Sequence, residues 1–195
     1  MTTPVPNVFD QTELIQLALD AGRNNNAGAA LGYLKEAVAR SDATATAHYL
    51  LGAEYAQIQM IDRAISQMEA AIALDPSLEA ARFQLGLLWL TSGDGVHAEE
   101  VLSPLQERQD NALHRFGEGL IHLIHDRFAD CVRCLRAGIE MNTDNEPLNV
   151  DMRRILGALS TGLKNMSESG EAPPAPGDTP YQHLFISAYT KSGEE

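Results

Sequence analysis

The most constraining feature of this chain is a spacing: small and large apolar residues recur every 34 positions, in register, over much of its length. The pattern is clearest over residues 45–78. There Leu51, Tyr55 and Ile58 lie four and three apart, so they share one face of a helix, and Ile61, Ile65, Met68 and Ile72 share a face of a second. Gly52, Ala64 and Ala71 are small where the two backbones would come closest, since a larger side chain there would hold the helices apart. Asp75-Pro76 ends the second helix, because proline cannot continue it and the residue before proline disfavours the helical region. The unit is a helix hairpin.

A shift by one full period keeps the pattern in register. Leu85-Gly86, Trp89, Gly93, Ala98, Leu102 and Leu105 stand one period after Leu51-Gly52, Tyr55, Gln59, Ala64, Met68 and Ala71. Upstream, Leu17-Ala18, Ala21, Ala30, Leu34 and Ala37 fall one period earlier, with Ala18 in the glycine position. A fourth unit aligns after a one-residue deletion, with Gly119, His122, Phe128, Cys131, Leu135 and Gly138 in the matching places. Four repeats over 11–145 imply eight antiparallel helices over 11–141 and little or no strand.

The order His48-x2-Leu51-Gly52-x2-Tyr55, then Ala64-x3-Met68, Ala71 and Asp75-Pro76, closely resembles the tetratricopeptide repeat signature. The resemblance implies an all-α fold: a right-handed solenoid of about four helix hairpins, closed by a C-terminal capping helix. It names an architecture and no reaction.

The remainder of the chain frames this array. Residues 1–10 carry Pro4 and Pro6 with little periodicity and read as a flexible arm. Asn24-Asn25-Asn26 and Ser92-Gly93-Asp94 are the polar turns inside the first and third hairpins. Pro104 falls within the second helix of the third repeat, where it removes a hydrogen bond to Glu100, so a break is expected near Ser103. Leu148, Met152, Ile155, Leu156, Leu159 and Leu163 form a further stripe, expected as a capping helix from about Leu148 to Met166 that covers the last hairpin. The array with its cap therefore occupies 11–166. Residues 167–180, with Pro173-Pro174, Pro176 and Gly177, have the composition of a linker. In 181–195, Tyr181, Leu184, Phe185, Ala188 and Tyr189 share one face of a short amphipathic helix. Such a helix is marginal alone, so it is expected to dock on an apolar surface, in cis as a plug or in trans as a dimer contact.

Composition narrows the partner class. With a formal net charge of −13, nucleic acid and anionic lipid would be repelled, while a basic or amphipathic protein segment would not. No run approaches the roughly 18 apolar residues of a membrane helix, and the N-terminal residues lack a leader's basic and apolar regions. Two cysteines three residues apart cannot staple a secreted scaffold. A cytoplasmic location is expected.

The resemblance implies that the first helix of each hairpin lines a concave groove, and at the implied positions this chain is apolar. In order they are Ile15 and Leu19, then Thr46, Tyr49 and Ala53, then Phe83, Leu87 and Leu90, then Leu113, Phe116, Leu120 and Leu123. None is the Lys, Asn or Arg with which family members grip a C-terminal carboxylate, so a carboxylate clamp is not expected. An apolar or amphipathic peptide is the expected occupant. On that reading Phe83→Ala weakens partner binding more than folding. The small size, acidity and apolar groove are similar to those of bacterial secretion chaperones built from such repeats, a likeness at the level of fold.

His122-x2-His125-x5-Cys131-x2-Cys134 is the sharpest chemical constellation, and zinc accepts such ligands. His122 and Cys131 face the helix partner whereas His125 and Cys134 fall off that stripe, so convergence on one ion is not expected. The chain shows no phosphate loop and no Gly-x-Ser-x-Gly. The function expected is a non-enzymatic adaptor or chaperone without cofactor. The alternatives are a self-associating scaffold and a metal-binding regulatory protein that uses the His and Cys cluster.

Overall fold

The computed structural model describes residues 9–107 and 111–169, with side chains through Thr161. Among the described residues the regular structure is nine α-helices and a 3-10 turn, with no strand. In chain order they are α1 (Gln11–Arg23), α2 (Ala27–Ala39), α3 (Ala45–Gln57), α4 (Ile61–Leu74), α5 (Glu79–Thr91), α6 (Gly95–Leu102), the 3-10 turn (Ser103–Glu107), α7 (Ala112–Ile124), α8 (Phe128–Met141) and α9 (Glu146–Ser169). The first eight helices are those the repeat implies.

Helix starts are set locally. Asp10 accepts from the Glu13 amide while the Glu13 carboxylate accepts from the Asp10 amide, a capping box that satisfies two orphan donors of α1. Asn26, Thr44, Asp94 and Asn111 accept from the third amide of α2, α3, α6 and α7 in the same way.

The turns inside the hairpins carry the repeat into the backbone. Asn25, Gln59, Gly93 and Asp126 have φ of 54°, 60°, 82° and 55°. The first three are spaced by the full repeat period, and the last falls one position short of it, as the deletion requires. In each turn the following amide donates to a carbonyl five residues back: Asn26 to Ala21, Met60 to Tyr55, Asp94 to Trp89 and Arg127 to His122, at 2.8–2.9 Å. This is the Schellman closure, in which a left-handed residue lets the chain reverse and satisfies a terminal carbonyl. Only Gly93 holds that conformation without a side-chain penalty. Gln59→Gly is therefore expected to raise stability by about 0.5–1 kcal/mol, read as a higher urea midpoint at unchanged m-value; an unchanged or lower midpoint would count against it.

Pro104 acts as its position requires. α6 ends at Leu102 after eight residues, the chain tightens into the 3-10 turn, and Ser103 Oγ donates to the Glu99 carbonyl at 2.7 Å. α9 starts two residues before its expected beginning, since Asn145 Oδ1 accepts from the Leu148 amide and Pro147 is tolerated in a first turn. It also continues through Ser169, three residues into the segment expected as linker, because no helix breaker precedes Gly170.

Backbone contacts divide the chain into two units, Met1–Ala81 and Arg82–Glu195. In the first, α1 pairs with α2 and α3 with α4. Gly52 is buried at the α3/α4 crossing, and a Cβ there would lie 3.1 Å from Met68 Cε and 3.2 Å from the Ala64 carbonyl. His48 Nδ1 meets Gln67 Oε1 at 2.8 Å across the same pair. In the second unit α7 pairs with α8, and Gly86 and Gly119 let Leu102 and Leu135 pack onto their helices. The buried stripe of α9, Leu148, Met152, Ile155 and Leu159, belongs to one core cluster with Phe83, Leu90, Leu102, Phe116, Leu120, Leu123 and Leu135. No described helix is long and apolar enough to cross a membrane.

Candidate partner-binding surface

The positions implied to line a groove divide by unit. In the first, Leu19 is 39% exposed and Ile15, Tyr49 and Ala53 are half-buried. Ile15 and Tyr49 are one repeat period apart, as are Leu19 and Ala53, so equivalent places on α1 and α3 carry apolar surface that the unit leaves accessible. Ile15 also packs on the small cluster of Leu14, Ala37 and Ala47. Partial burial raises the pKa of the Tyr49 phenol, which stays neutral and presents an apolar ring.

In the second unit most of the implied groove positions are closed. Phe83, Leu90, Phe116, Leu120 and Leu123 are all at most 1% exposed. Leu87 and Leu113 are half-buried against the same cluster. The assignment of Phe83, Leu90, Phe116, Leu120 and Leu123 as partner-facing is corrected accordingly. Their apolar area is consumed inside the fold, in the cluster that also takes the stripe of α9. The Phe83 ring lies 6.0 Å from that of Phe116 at 45°, and Phe116 in turn sits where a side chain on Gly138 would be. These are core contacts. The tail residues Tyr181, Leu184, Phe185 and Tyr189 lie outside the described residues.

The four-residue His and Cys constellation does not converge. His125, the C-cap of α7, is exposed, with Nε2 2.9 Å from Glu99 Oε1. Cys131 is fully buried, its thiol pushed up to about 12 by burial and then by the neighbouring Cys134, so it is an inert core residue. The structure brings His122 and Cys134 together instead with Glu118. Sequence inspection missed Glu118, although its place one turn before His122 on the same helix face was a usable signal.

No protein-family model and no curated protein matches the chain. Among solved structures it is similar to the crystal structure of MamA, a tetratricopeptide-repeat protein, with 22% sequence identity and a TM-score of 0.57 over 68% of this chain and 78% of that one. At that identity the likeness carries the architecture alone. Helix hairpins in a constant register, the recurring left-handed turn within each, and this structural match together identify the fold as that of the tetratricopeptide repeats, all-α and built of sequential hairpins.

Proposed function

We propose that this chain is a non-enzymatic interaction module that holds an apolar or amphipathic segment of a protein partner, in the manner of a cytoplasmic adaptor or chaperone. The tetratricopeptide-repeat fold is a scaffold for protein partners in general. The observation that carries the finer reading is the contrast between units: Ile15, Leu19, Tyr49 and Ala53 keep accessible apolar surface at repeat-equivalent places, whereas their counterparts Phe83, Phe116 and Leu120 in the second unit are spent in its core and only Leu87 stays half-buried. The receptive surface is accordingly on α1 and α3. The net charge of −13 favours a segment whose polar face is basic. Bacterial secretion chaperones of similar build hold an extended or helical segment of a cargo protein, and an analogous role is the specific form of this proposal.

The test is a fluorescently labelled amphipathic peptide with a Lys-rich polar face, titrated with the full-length chain. Leu19→Glu and Tyr49→Ala are each expected to weaken binding by about tenfold or more, since each removes a contact worth roughly 1.4 kcal/mol, while helicity and urea midpoint stay near those of the parent. Equal affinity in both variants would overturn the assignment to α1 and α3.

A further inference from the structure

Across the α7/α8 hairpin three unlike ligating groups meet. Glu118 and His122 are one turn apart on α7, and Cys134 reaches them from α8, with one ligand atom of each lying within 4.8 Å of the others. They are not equally exposed. Cys134 is buried, while Glu118 and His122 keep 30% and 14% of their side-chain surface, so the cluster has a dry floor and an opening to solvent.

His122 is set apart from the other described histidines by its hydrogen bonding. A ring nitrogen of His48, His97, His114 and His125 lies 2.6–3.0 Å from a protein acceptor in every case. His122 Nδ1 is buried without a hydrogen-bond partner, and Nε2 is 3.9 Å from Glu118 Oε1, outside hydrogen-bond reach. Nε2 is the ring nitrogen placed toward Glu118, and with no hydrogen bond to that carboxylate it is open to a metal ion, for which imidazole is a common ligand. Glu118 is held ready for it: Oε2 accepts from Arg115 Nη1 at 3.1 Å, which orients the carboxylate and leaves Oε1 toward His122.

We propose that Glu118, His122 and Cys134 form a binding site for a divalent transition-metal ion of borderline softness, Zn²⁺ above all, with water in the fourth position. The donor set of one carboxylate, one imidazole and one thiolate suits that class of ion and disfavours Mg²⁺ and Ca²⁺, which take oxygen ligands. Tetrahedral ligands about 2.0–2.3 Å from a common centre are about 3.3–3.8 Å apart, so side-chain rotation of about an ångström closes the site without moving either helix.

The chemistry balances without a further reactant. Cys134 carries its proton in the metal-free protein, its thiol pushed up to about 11 by burial and then by the charge and hydrogen bond of Glu118. On binding, the S–H bond breaks, the proton passes to the buffer and the sulfur lone pair forms the bond to the ion; the cation reverses the electrostatics that kept the thiol protonated. Two ligands from α7 and one from α8 make the ion a staple across the last hairpin. This role is independent of the peptide surface on α1 and α3.

The experiment is titration of chelator-treated, reduced full-length chain with Co²⁺ as a spectroscopic stand-in for Zn²⁺. One equivalent is expected to give a sulfur-to-cobalt charge-transfer band and visible bands of four-coordinate intensity, and Zn²⁺ to displace it and raise the melting temperature. Cys134→Ser should abolish the charge-transfer band. Glu118→Gln and His122→Gln should each weaken Co²⁺ binding at least tenfold, and Cys131→Ala should retain the band. Circular dichroism of the metal-free variants checks that each is folded before titration. No charge-transfer band in the parent, a band that survives Cys134→Ser, or a band lost only in Cys131→Ala would each overturn the site.

Discussion

Gly52→Leu is expected to destabilise the protein by about 2 kcal/mol or more, because it overpacks the tightest point of the α3/α4 hairpin. Even a bare Cβ at residue 52 would stand 3.1 Å from Met68 Cε and 3.2 Å from both Met68 Cγ and the Ala64 carbonyl oxygen. The methionine side chain can swing away, since thioether chains are flexible. The carbonyl cannot, because it is fixed within the α4 backbone. Gly52→Ala should accordingly be milder than Gly52→Leu, and the graded pair separates steric overpacking from a general intolerance of substitution. Urea denaturation is the measurement. A loss of less than about 0.5 kcal/mol for the leucine variant would mean that the two helices separate more freely than their packing implies.

Phe83→Ala is expected to cost about 3–5 kcal/mol of stability, the range for deleting a fully buried aromatic side chain. This reverses the expectation drawn from sequence, where Phe83 stood among the partner-facing residues. The ring is 1% exposed and sits 6.0 Å from Phe116 in the cluster that also contains Leu90, Leu120 and the stripe of α9. Its removal leaves a cavity that the surrounding helices would have to collapse to fill. The readout is again the denaturant midpoint, set beside Tyr49→Ala, which should lose much less because Tyr49 is only half-buried. Comparable losses for the two would mean that the units do not differ in how they use these positions.

What was legible in the sequence was legible because it is local. The polar turns at Asn24-Asn25-Asn26 and Ser92-Gly93-Asp94 and the break at Pro104 depend on groups within about five residues of one another, so residue type and spacing suffice to find them. The repeat itself is the same local signal four times over, which is why the hairpin architecture could be read before any tertiary contact was known. The stripe in 148–163 was also visible, although the helix that bears it proved longer at both ends, through Asn145 on one side and the absence of a breaker before Gly170 on the other.

The tertiary structure decided which apolar faces are covered. Periodicity places Tyr49 and Phe83 at the same place in their repeats, and nothing in either helix says that one stays half-exposed while the other is sealed. That outcome depends on where α9 lays its stripe and on the bulk of Phe116 against Gly138, contacts between residues far apart in sequence. The same holds for Glu118, His122 and Cys134. Helix spacing predicts that the first two are neighbours, but the thiol joins them only because Gly119 lets α8 pack closely enough on α7 for Leu135 to occupy the space of its missing side chain. Sequence alone determined the repeat helices, the turns within their hairpins and the break at Pro104. Which faces remain for a partner and which side chains converge is set by non-local packing, because the free energy of burying a face depends on what arrives to cover it.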